Sequence, residues 1–72
     1  MATYNGHKNW NHWNVALWIA NDEAIYNTAK ALVSCGGPLD DAARMLVSAL
    51  PSHTPDGAPY TFTTVRAALR GL

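Results

Sequence analysis

All three tryptophans of this 72-residue chain fall between positions 10 and 18, within Asn9-Trp10-Asn11-His12-Trp13-Asn14-Val15-Ala16-Leu17-Trp18-Ile19. A side chain as large as tryptophan must pack against something, and its indole N–H needs an acceptor once covered. This segment therefore commits the chain either to an aromatic core or to a recognition anchor. The apolar spacing is helical: Trp10, Trp13 and Leu17 share one stripe, and Val15, Trp18 and Ile19 share its neighbour. A helix apolar over so much of its circumference is expected to be largely buried.

Length limits what can bury it. A chain of this size hides only about 60% of its unfolded surface on folding, and such a core rarely supplies more than ~3–5 kcal/mol. The single Cys35 excludes an internal disulfide, so self-association as a homodimer is the natural reinforcement. Five Lys/Arg balance five Asp/Glu, which is neither the basic excess of a general nucleic-acid binder nor the acidic excess of a bulk DNA mimic. Nucleic acid is accordingly not expected as the direct ligand. There is no export signal and no apolar run near the ~20 residues that span a bilayer. With one unpaired cysteine, this points to a cytoplasmic protein with no membrane partner.

The remaining punctuation divides the chain. Residues 1–8 hold the turn pair Asn5-Gly6 and read as an N-terminal arm. A first helix is expected from Asn9 or Asn11 to about Ala20. Asn21, followed by Asp22 and Glu23, has the form of a helix start and opens a second, with Ile25, Ala29, Leu32 and Val33 inward and Tyr26 and Lys30 on a more exposed face. Gly36-Gly37 ends it, and Pro38 with Asp40 and Asp41 begins a third. There Leu39, Ala43, Leu46 and Leu50 point inward with Met45 and Ala49 beside them, while Arg44 and Ser48 point outward. After Pro51, residues 52–59 are rich in proline and read as a surface loop. Tyr60-Thr61-Phe62 is an extended lead into a last helix capped by Thr61 or Thr63. On it Val65, Ala68, Leu69 and Leu72 would pack, leaving Arg66 and Arg70 wet. The sum is an all-α chain, a compact three- to four-helix mini-domain spanning residues 1–72 as one unit.

Few residues offer chemistry. Trp10, flanked by His7, Lys8, Asn9 and Asn11, is the best anchor for a protein partner, because an indole in a collar of amides is how interface hot spots look. Asp22, Glu23, Asp40 and Asp41 are accounted for by helix capping. If the two helix starts converged, they would also form an acidic edge able to meet a basic channel. Arg44, Arg66 and Arg70 read as solvated, or alternatively as a salt-sensitive grip on phosphates. His7, His12, His53 and Cys35 lack the spacing of a zinc site, and Cys35, at a helix end, reads as a small buried or half-buried thiol. With no nucleophile–base pair and no phosphate-cradling loop, neither an enzyme nor a cofactor is expected.

Tyr4-Asn5-Gly6, Trp10, Trp13-Asn14-Val15-Ala16-Leu17-Trp18-Ile19, Asn21-Asp22-Glu23 and Tyr26 together resemble the opening of a family of small proteins carried by phages and prophages. Thr54-Pro55-Asp56-Gly57 resembles a turn of the same family. The resemblance implies a small cytoplasmic protein of a mobile element and assigns no catalytic residue. In size and style, though not in motif, the chain is similar to anti-CRISPR inhibitors, which cover a surface of a host complex. The leading expectation is therefore an occluding inhibitor of a host protein complex such as a CRISPR effector, blocking its engagement of DNA. The alternative is a small dimeric DNA-binding regulator.

Overall fold

The computed structural model describes residues 8–72; the expected arm, with Asn5-Gly6 and His7, lies outside the described residues apart from Lys8. Four helices follow one another, α1 (Trp10–Asn21), α2 (Glu23–Ser34), α3 (Leu39–Ala49) and α4 (Phe62–Arg70). Each packs on its chain neighbours, and α4 closes the ring against α1. The expected all-α mini-domain is therefore present, with four helices.

Local chemistry sets the boundaries. Asn9 caps α1 by accepting from the His12 N–H at 3.0 Å. The start of α2 is Asp22, not Asn21: Asn21 completes α1, and the extended Asp22 accepts from the Ile25 N–H at 3.2 Å through its carboxylate. The Asp22 N–H meanwhile donates to the Trp18 carbonyl at 3.0 Å, so one residue ends one helix and begins the next. Asparagine and aspartate cap a helix about equally well, so the bond from the Asp22 N–H to the Trp18 carbonyl, which keeps Asn21 inside α1, sets this boundary. Gly36, at φ +82°, ends α2 in the left-handed region. Pro38 occupies the cap position of α3, where its carbonyl accepts from the Asp41 and Ala42 N–H groups, and no side chain caps that helix. Thr61 and Thr64 cap α4 reciprocally, each hydroxyl accepting from the other's N–H.

The core is small and rich in alanine. Val15, Ile19, Leu46, Val65 and Leu69 fill it, and Ala29, Ala42, Ala43, Ala58 and Ala68 let the backbones close around them. None of the three tryptophans is fully buried: Trp13 and Trp18 are half-buried and Trp10 is 38% exposed. The fully covered positions of α1 are Asn14, Val15 and Ile19, so the tryptophan stripe lies beside the core rather than in it. Ile25, Leu32 and Val33 are half-buried against the core. Met45, expected beside the α3 core positions, is 59% exposed, and Leu72 is 38% exposed. Cys35 is exposed, not buried or half-buried, because it caps the free end of α2.

Residues 52–59 form the expected loop, exposed at Ser52, His53, Pro55, Asp56 and Gly57, but the loop is anchored inward at two positions. Thr54 and Ala58 are buried, and Tyr60, just beyond, is 6% exposed. A tight turn accounts for this: the Gly57 N–H donates to the Thr54 carbonyl at 2.9 Å, with Pro55 inside the turn, and the Thr54 N–H donates to the Ala58 carbonyl at 2.8 Å. Gly57 sits at φ +98°, a conformation that costs an L-residue about 1–2 kcal/mol. Gly57→Ala should lower stability by about that amount in a denaturant titration, although no atom lies where the new methyl would go. An unchanged midpoint would mean that the turn relaxes freely.

Candidate functional site

Asn14 is 1% exposed, and a covered amide must find partners on both ends. Its Oδ1 accepts from the Thr54 hydroxyl at 2.6 Å, and its Nδ2 donates to Asp56 Oδ2 at 2.9 Å. One helical turn on, the Trp18 indole N–H donates to the same Asp56 oxygen at 2.9 Å. The Thr54 hydroxyl in turn accepts from the Ala58 N–H at 3.1 Å. The loop before α4 is thus clamped to α1 by a polar network, and no buried side-chain polar atom among the described residues lacks a partner.

Those two donors hold the Asp56 carboxyl below its ordinary value, with Asn14 contributing more than Trp18. A depressed folded value means that the clamp's stabilisation is whole above about pH 4 and is lost as the pH falls through the lower folded value. An acid titration followed by the Trp18 indole proton resonance should show this step, and Asp56→Asn should abolish it; the same step in the variant would contradict the assignment. Burial, reinforced by the negative charge of Asp22, holds the Tyr60 phenol above its ordinary value, so the ring beside the α1–α2 junction stays neutral.

The clamp uses one end of a row. Trp10, Asn14 and Trp18 are spaced four apart along the same face of α1. Asn14 and Trp18 are committed to the loop, whereas no hydrogen bond joins the Trp10 indole to another described residue. Asn9 and Trp10 are exposed and Asn11 is half-buried, with Asn9 also spent on the α1 cap.

The acidic helix starts do not meet. A surface pocket is lined by Ala24, Ile25 and Thr28 of α2 together with Leu46, Ala49 and Leu50 of α3, so the start of α2 faces the end of α3. Asp22 and Glu23 therefore lie about one helix length, ~14 Å, from Asp40 and Asp41. Asp40 is bound to the Arg66 guanidinium, and Asp41 lies 3.4 Å from Arg44. The four carboxylates form two separate places, each with its own local partner or cap.

The cations behave in the opposite way. Lys8 and His12, one turn apart at the start of α1, line a groove of about 430 Å³ together with Phe62, Arg66 and Arg70 of α4. Arg44 of α3 lies over the Phe62 ring at 5.1 Å from its centroid, in cation–π range. Charges that look dispersed along the sequence are gathered by the antiparallel packing of α3 and α4, which places Asp40 against Arg66 and Arg44 against Phe62. Spacing alone showed Arg66 and Arg70 one turn apart, but nothing in it placed Lys8 beside them. Among the described residues, no three His, Cys, Asp or Glu side chains stand together as metal ligands. Among the described residues no helix is long and apolar enough to cross a membrane.

The chain belongs to a family of unknown function, DUF7249, whose model matches residues 1–68. No curated protein and no solved structure matches it.

Proposed function

We propose that this DUF7249 member is a non-catalytic binding protein of the mobile-element type, which inhibits a host protein complex by covering part of its surface. The specific case to test is a CRISPR effector kept from engaging DNA. The observation that carries the reading is Trp10: a large aromatic side chain 38% exposed at the start of α1, left outside the clamp that its row partners Asn14 and Trp18 form. Exposed tryptophans flanked by amides are what tight interfaces bury first, and a rigid helix holding one in place lowers the entropic cost of docking. Asp22 with Glu23, and Asp40 with Asp41, are secondary contacts in this reading. Because they stand apart, they would orient the protein at two separate points.

The test is affinity capture with tagged protein from bacteria carrying active CRISPR systems, with isolated Trp10→Ala in parallel. Recovery of effector subunits by the parent chain, and a loss of affinity of more than ~2 kcal/mol in the variant with helical content intact, is the expected result. If the variant recovers the same subunits equally well, Trp10 is not the anchor; if neither protein recovers effector subunits, this target is wrong.

A further inference from the structure

We infer that the groove between the first turn of α1 and the outer face of α4 binds an acidic segment of a partner protein, an inference that rests on the binding-protein reading and locates its electrostatic contact. Lys8, Arg44, Arg66 and Arg70, four of the five Lys/Arg in the chain, line this groove or stack on its Phe62 wall. No carboxylate is among its lining residues; Asp40 holds Arg66 from outside the lining. A chain of zero net charge thus concentrates its positive charge on one side, which is complementary to a stretch of Asp and Glu.

Three observations favour a protein segment over nucleic acid. Arg66 is tied to Asp40 and Arg44 to Asp41, so Lys8 and Arg70 are the groove's cations outside these ion pairs. Two phosphate contacts release too few counterions for useful affinity to DNA or RNA at physiological salt. Phe62 is half-buried against the core with Arg44 over its ring, so it is a poor platform for stacking a base. Arginines beside an apolar wall match the composition of protein interfaces.

The test uses the whole chain, labelled with nitrogen-15 and titrated with a blocked oligoglutamate peptide and, separately, with oligothymidylate of matching charge. Saturable shifts of the Lys8, His12, Phe62, Arg66 and Arg70 amides by the peptide are expected. In the double variant Lys8→Gln, Arg70→Gln the apparent affinity should fall about tenfold, while Lys30→Gln, a cation on α2 outside the groove, should bind as the parent does. Both exchanged residues are exposed, so the double variant should keep its circular dichroism and melting curve. The inference is overturned by shifts that do not saturate, by shifts outside the groove, by an unchanged affinity in the double variant, or by oligothymidylate binding the same residues more tightly. Because this titration needs no host complex, failure of the effector target and failure of the groove are read separately.

Discussion

Leu46→Ala is expected to leave the chain largely unfolded at ordinary temperature. Leu46 is 1% exposed and among the largest fully buried side chains, and five of the residues that share its core are alanines, which cannot reach into the space it would vacate. Truncations of this kind cost about 2–5 kcal/mol, the high end applying where neighbours cannot collapse. An apolar core of this size rarely supplies more than ~3–5 kcal/mol in all. Far-ultraviolet circular dichroism with a thermal melt would show weak helicity and no cooperative transition. A cooperative melt with a loss below about 1 kcal/mol would mean that another element, such as a partner copy, carries the stability.

Asn14→Ala should destabilise by about 2–3 kcal/mol, more than an asparagine on a helix surface could account for. It strips the acceptor from the buried Thr54 hydroxyl and one donor from Asp56, freeing the loop and the Tyr60 ring behind it. Asn14→Asp is the sharper variant. It keeps the shape and the acceptor for Thr54 but sets a second carboxylate against Asp56 at hydrogen-bonding distance, so it should be poorly stable at neutral pH and recover as acid allows the pair to share a proton. Equal stability of parent and Asn14→Ala in a denaturant titration would remove the clamp from the account of the fold.

Helix count and the main breaks were legible because they rest on local chemistry: Gly36-Gly37, Pro38, Pro51 and Thr61 all act where they stand. The boundary expected at Asn21 stands one residue early because Asn21 is an equally familiar cap, and only the Trp18 carbonyl, one turn back, selects the aspartate. The loop is legible, but its buried anchors Thr54 and Ala58 are not. Composition identifies Thr54-Pro55-Asp56-Gly57 as a turn, but the partners that bury it lie forty residues earlier on α1. Those two segments, Trp13 to Ile19 and Thr54 to Gly57, meet in the fold. Their contact gives Asn14, Trp18 and Asp56 a structural task, while Trp10 is the exposed tryptophan outside the clamp. The groove was illegible in the sequence because Lys8 and Arg70 come from opposite ends of the chain, and only the closure of α4 on α1 makes them neighbours.

Binding as the purpose of this surface is tested most directly in cells, by the efficiency with which a CRISPR-targeted plasmid transforms a strain with an active system. Expression of the parent chain should raise that efficiency towards the level of an untargeted plasmid, while Trp10→Ala, expressed equally and folded by circular dichroism, should leave the plasmid excluded. Exclusion that persists at full strength with the parent chain, or relief that is identical with Trp10→Ala, would contradict an inhibitor anchored on Trp10.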